Sequence, residues 1–233
     1  MNLGITGRNR LRTLAPCGAL LLLTLAMGAI ANAQDGHPVL AAQFAHVDVG
    51  VSAVGEITPS TTGNNYLGQS VVNSPSTTVG ALATIRYIKS PFVGAEFNYH
   101  YARYTENFTF NALSAGGPSA VVLGVQTNAT EYTFGYVAHT RSPYFGVQPF
   151  AGVGAGVIAF RPTKYGGQGY RPQARAAYYY EVGAEQSIFN PHFGVRVQFR
   201  QVIHLAPDYE TNYLTTHKRV ISSEPTVGFY YHF

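Results

Sequence analysis

Along most of this chain apolar residues fall on every second position, a period that suits an extended strand with two chemically different faces and excludes an amphipathic helix. Eight stretches hold it for about the 9–11 residues that a tilted membrane-crossing strand requires: 46–54, 78–88, 92–104, 130–139, 145–160, 176–188, 193–205 and 225–233. In the first, Val47, Val49, Val51 and Ala53 share one face and His46, Asp48, Gly50 and Ser52 the other. In the third, Val93, Ala95, Phe97, Tyr99 and Tyr101 oppose Gly94, Glu96, Asn98 and His100. The same rule places Arg86, Glu131, Glu181, Glu185, Arg196 and Arg200 opposite the apolar row, and Leu82 breaks it. In the fifth stretch Gly152, Gly154 and Gly156 occupy the polar face, which predicts crowding there.

The connections alternate in length. Three are short (89–91, 140–144 and 189–192), each with a proline, and four are long (55–77, 105–129, 161–175 and 206–220). An even number of strands with short turns at one end and long loops at the other predicts an all-β, eight-stranded antiparallel up-and-down transmembrane barrel, with short periplasmic turns and long extracellular loops. Closure pairs every backbone group, as lipid requires. A soluble sandwich or lipocalin-like barrel would put its apolar set inward; here the opposing face is rich in Glu, Arg, His, Asn and Gly, and the apolar set is assigned to lipid.

Composition agrees. Charged residues are 11% of the chain, against about 25% in soluble domains, and 17 Tyr and 14 Phe accompany 25 Gly. The start is different in kind: Arg8, Arg10 and Arg12 precede an apolar run at 19–30 and the small residues Ala31-Asn32-Ala33. This is the pattern of a cleavable signal peptide, 1–33, whose apolar run is too short to span a bilayer as a helix. A periplasmic lead, 34–43, and the barrel, 44–233, are expected to follow. Removing the leader takes three arginines and leaves twelve Lys and Arg against eleven Asp and Glu, so the net charge of +4 largely vanishes and nucleic-acid binding is excluded. Cys17 lies in the leader, which leaves no disulfide, thiolate site or thiol nucleophile afterwards.

An eight-stranded interior is just wide enough to be filled by side chains, so inward charges must neutralise one another. Residues opposed in a hairpin have a constant sum of positions: Glu185 with Arg196 and Glu181 with Arg200 both give 381, centring the turn on Asn190-Pro191 and setting Gly183 opposite Gln198. Arg86 and Glu96 pair about Pro91, and Glu131 is expected at the height of Glu181 and Arg200. Carboxylates bracketed by arginines serve neutralisation better than proton transfer. His46, His139 and His232 are assigned to the periplasmic rim and His100 and His204 to the inner face, with no metal-ligand spacing among the histidines. His217, Ser222, Ser223 and Glu224 hold the residue types of an outer-leaflet acyl hydrolase without the spacing of a triad.

The run Val147-Gln-Pro-Phe-Ala-Gly-Val-Gly-Ala-Gly and the ending Gly228-Phe-Tyr-Tyr-His-Phe233 resemble the outer-membrane β-barrel superfamily typified by the OmpA transmembrane domain and OmpX. The resemblance covers 44–233 and implies that Phe229, Tyr231 and Phe233 are an assembly signal read by the barrel-assembly machinery. No peptidoglycan-binding domain is expected after Phe233, so an anchoring role is not implied. Three functions are open: a structural or surface-interaction barrel with a charged, largely plugged interior; a small-solute pore; and a lipid A-modifying enzyme. The first leads. No enzyme activity, cofactor or metal is expected. The expected partners are outer-membrane lipids and lipopolysaccharide, and the expected state is a monomer in the outer membrane; Arg161, Lys164, Arg171 and Arg175 make the third long loop basic, which could meet lipopolysaccharide phosphates, although a solvated loop is the leading reading.

Overall fold

The computed structural model describes residues 42–111 and 120–233; the signal-peptide reading of 1–33 and most of the lead lie outside them. Ten strands are present among the described residues: β1 (Val47–Glu56), β2 (Thr61–Asn64), β3 (Ser70–Pro75), β4 (Thr78–Ser90), β5 (Val93–Asn111), β6 (Ala120–His139), β7 (Gln148–Pro162), β8 (Gln173–Asn190), β9 (Phe193–Leu205) and β10 (Arg219–His232). Eight of them pair antiparallel in chain order, from β1 with β4 round to β9 with β10, and β10 returns to β1 through Asp48↔His232 to Val54↔Thr226. The sheet is therefore closed. β2 and β3 form an added hairpin whose second strand pairs with the far end of β5, Val71↔Phe110 to Pro75↔Glu106.

The staves match the eight predicted segments in identity and differ from them at the ends. The expected loop 105–129 is mostly ladder: β5 and β6 stay paired to Asn111↔Ala120. The expected loop 55–77 contains β2 and β3, and β7 begins at Gln148 rather than at Phe145, which sits in the turn with φ 51°. The reason is an inversion of polarity along the strand. Below Tyr101, β5 turns Phe97 and Tyr101 outward and Glu96 and His100 inward; above it, Thr105 and Asn107 face out while Tyr104 and Phe108 are buried inside. On β6 the outward row passes from Phe134 and Tyr132 to Asn128, Gln126 and Gly124, with Val125 turned in. A strand leaving the bilayer keeps its period of two but exchanges its solvents, so the apolar set must change sides.

The outer part is consequently built like a soluble barrel. Its core joins Val71, Tyr104, Phe108, Val125, Ile158, Phe160, Tyr179 and Val202 with Tyr209 and Leu214 from the segment between β9 and β10. That segment folds in as a cap. Thr127 and Tyr209 share a 2.6 Å hydroxyl hydrogen bond, Gln173 Nε2 donates to Asp208 at 2.6 Å, and Tyr209, Glu210 and His217 all take positive φ. At the other end the turns are tight: Asn190 Oδ1 accepts from the backbone N–H groups of His192 and Phe193 at 3.0 and 2.8 Å, an Asx turn that needs no glycine.

Candidate functional site: the charged lumen

In the membrane-crossing part, a belt that includes Val51, Phe97, Phe134, Val153, Val182 and Phe229 is exposed on the outside. So extensive an apolar surface on a closed sheet is a lipid-facing one. Inside, the hairpin registers place Glu181 opposite Arg200, Glu185 opposite Arg196, Gly183 opposite Gln198 and Arg86 opposite Glu96. A bulge between Ser187 and Asn190 then moves the β8–β9 turn one position on, to Pro191-His192, so the expected centre at Asn190-Pro191 is displaced while the register above it is kept.

Opposed position and closest contact are different things in this lumen. Glu181 Oε1 accepts from Arg86 Nη2 across the barrel at 2.8 Å, while Arg200 Nε, its neighbour on β9, stands 3.5 Å from Oε2 and makes no hydrogen bond to it. Arg86 also bonds Glu96 and lies 4.1 Å above the Phe150 ring. Arg196 donates from Nε to Glu185 at 2.9 Å and from Nη2 to Asp48 at 3.0 Å, and His139 Nε2 meets Glu185 at 2.8 Å. Arg200 spends its two best bonds elsewhere, to Glu131 and to Glu224, both at 2.7 Å, under the Tyr179 ring at 4.8 Å. All seven sequence-chosen charges thus meet in one lumen, in two groups: Arg86 and Arg196 with Glu96, Glu181, Glu185 and Asp48 toward the periplasm, and Arg200 with Glu131 and Glu224 above them.

Several members escaped the sequence reading of the network. Asp48 had no partner without the β1–β10 closure. Glu224 belongs to the hydrolase-like cluster only if the strand starts at Pro225; the alternation runs back through Thr226 and Pro225 and turns it inward. Glu56 and Glu106 are inward by the same rule and buried. The inward glycines are crowded as expected. A Cβ at Gly152 would stand 3.1 Å from the Glu181 side chain, and at Gly135 and Gly154 it would collide with Tyr179, whose hydroxyl donates to Glu96 at 3.1 Å.

The serine–histidine–acid cluster is not assembled. Ser222 and Glu224 point into the lumen, Ser223 does not, and His217 lies exposed on the cap against Tyr66. Ser222 Oγ instead meets Thr58 at 2.6 Å and His204 Nε2 at 3.4 Å, and His204 Nδ1 faces the Leu205 carbonyl at 2.9 Å. His192 Nδ1 lies 2.9 Å from the His232 carbonyl at the rim, where the Phe233 backbone N–H donates to Val47 at 3.1 Å. Phe229, Tyr231 and Phe233 continue one row, with Tyr231 edge-on to Phe233 at 5.0 Å.

Charge is segregated between inside and outside. Among the described residues eight buried carboxylates, Asp48, Glu56, Glu96, Glu106, Glu131, Glu181, Glu185 and Glu224, face three buried arginines. Of the other described Lys and Arg, seven lie at the outer end with Asp208 and Glu210; six of these face outward, and Arg175 stands half-buried on the inward row of β8, 2.9 Å from Asp208. Two make a row at the polarity boundary: Arg103 is opposite Asn128, and Asn128 opposite Arg161, with Asn128 Oδ1 accepting from Arg103 Nε at 2.7 Å and Tyr101 OH at 3.2 Å. On the cap, burial raises the Tyr209 phenol above its ordinary range, with the Glu106 charge adding to it.

No protein-family model matches the chain, and no curated protein sequence matches it. The fold is that of solved outer-membrane β-barrels. Neisserial surface protein A is 13% identical, with 81% of this chain and 97% of that one covered at a TM-score of 0.51. The outer membrane protein OprG from Pseudomonas aeruginosa is 14% identical, with 80% and 95% covered at a TM-score of 0.50.

Proposed function

We propose that this is an integral outer-membrane barrel whose lumen is closed and whose work is done at its extracellular end, in surface interaction or envelope integrity. The carrying observation is the stacking of two different seals in one lumen: buried Arg–carboxylate groups across the membrane part, and an apolar core under the 206–218 cap above them. A charged group without solvent holds its partners tightly, and an apolar plug excludes ions and water. The basic outer end supports phosphate-bearing lipopolysaccharide as the partner, with Arg103 and Arg161 at the height where the outer face changes from apolar to polar, alongside Lys164 and Arg171; Arg175 is held inward by Asp208. The enzyme alternative has less support, since His217 is exposed on the cap while Ser222 and His204 are buried beneath it.

The test is reconstitution of the purified barrel, with planar-bilayer conductance and lipid hydrolysis measured on one sample. Silence in both is expected. A large, steady conductance would overturn the closed lumen, and release of acyl chains would overturn the non-enzymatic reading.

A further inference from the structure

The lumen contains more carboxylates than its arginines can neutralise, and the surplus is greatest where Arg200 stands alone. Beside it are Glu131 and Glu224, with Glu56 and Glu106 in the same upper region, all nearly fully buried. A buried carboxylate without a counter-charge is expensive, so this surplus calls for protons or for a bound cation.

The arrangement of individual atoms decides between the two. Arg200 takes one oxygen from each neighbour, Oε1 of Glu131 and Oε2 of Glu224. The second oxygen of Glu131 is buried with no hydrogen-bond partner, and the second oxygen of Glu224 faces His100 Nδ1 at 3.8 Å, too far for a hydrogen bond. His100 itself is 3% exposed and its Nε2 also lacks a partner. One ligand atom from each of His100, Glu131 and Glu224 lies within 4.8 Å of the other two. Tetrahedral ligation at about 2.0–2.2 Å sets ligand atoms roughly 3.4 Å apart, so closing onto an ion asks each side chain for about 1 Å.

We infer that His100, Glu131 and Glu224 form a site for a divalent transition-metal ion inside the barrel, with Arg200 as the positioning residue that holds both carboxylates. One imidazole and two carboxylates, with a fourth position left to water, suit Zn²⁺ or Co²⁺ better than Mg²⁺ or Ca²⁺, which take oxygen ligands. The guanidinium plays the part that an outer hydrogen-bonding partner plays at metal sites, orienting the ligand oxygens. Spacing along the chain could not reveal this, because β5, β6 and β10 each contribute one ligand.

The test uses the full barrel refolded in detergent with Zn²⁺ present, then freed of loose metal by brief dialysis against a weak chelator, with retained zinc measured by atomic emission and folding checked by gel mobility. One equivalent per chain is expected, and Co²⁺ in its place should give visible d–d absorption. His100→Ala and Glu224→Gln should each weaken retention at least tenfold, and His192→Ala at the rim should leave it unchanged. Retention by the parent protein no better than by His100→Ala, or retention that disappears only with His192→Ala, would overturn the site and leave protons as the neutralising charge. If both lumen variants fail to fold, the parent spectrum decides: no d–d absorption with Co²⁺ overturns the proposal.

Discussion

Replacing Arg200 by Met should be among the most damaging single changes in this barrel. The side chain is fully buried and gives two 2.7 Å charge-assisted hydrogen bonds, to Glu131 and Glu224, together with its place against Tyr179. Met fills similar volume but leaves both carboxylates uncompensated, and breaking a buried ion pair from one side costs about 3–5 kcal/mol. The measurement is urea unfolding of the barrel in lipid vesicles, followed by gel mobility or circular dichroism because the chain has no Trp, with chelator present throughout. Double-mutant cycles then apportion the loss. Coupling of Arg200 to Glu131→Gln and to Glu224→Gln should each reach about 1.5–3 kcal/mol, the range for hydrogen bonds to charged groups. Coupling to Glu181→Gln should be smaller, since that pair is opposed in register but 3.5 Å apart without a hydrogen bond. A larger coupling to Glu181 than to either other acid, or a loss under about 1 kcal/mol for Arg200→Met, would mean that Glu131 and Glu224 are not the partners that hold Arg200.

Gly154→Ala should cost about 1–3 kcal/mol, the range for overpacking, because the added methyl collides with Tyr179 and pushes its hydroxyl off Glu96; an unchanged urea midpoint would contradict it. Leu214→Ala, which empties a fully buried position in the outer core, should speed proteolysis within 206–218 while the staves stay protected, at a local cost of about 2–4 kcal/mol. The Tyr209 phenol is raised in the folded state, so its contribution is complete below the unfolded value of about 10 and declines from there as pH climbs toward the folded value; proteolysis of the cap should therefore accelerate once pH exceeds about 10, and less so in Tyr209→Phe. Deleting Phe233 should slow assembly by the barrel-assembly machinery but leave refolding in detergent intact; equal rates in both would remove the signal role of Phe229, Tyr231 and Phe233.

The parts of the lumen that could be read from the chain are those that hairpins bring together. Glu181 with Arg200, Glu185 with Arg196 and Arg86 with Glu96 follow from turn length and a period of two, because a short turn leaves one register that keeps both faces intact. Contacts across the barrel obey no such arithmetic. Arg86 reaches Glu181 from β4 to β8, and Arg200 reaches Glu131 from β9 to β6, only because closure sets those walls face to face. Glu224 shows the cost of ending a strand at a proline: Pro225 lies within β10 and pairs with Phe199, and the inward row continues past it.

The alternation of apolar and polar residues by itself determined that the chain forms two-faced strands, how many staves the barrel has, and which residues share each face. It could not say which face is inside at a given height, since the same period serves a strand in lipid and a strand in water. The closed barrel with its cap settles that. It extends β5 and β6 beyond the bilayer, turns Tyr104, Phe108 and Val125 into a core beneath the cap, and leaves Glu131, Glu224 and His100 together in the lumen just below. The physical reason is that a side chain's preference depends on the solvent outside the sheet, and that solvent changes from acyl chains to water partway along the strand.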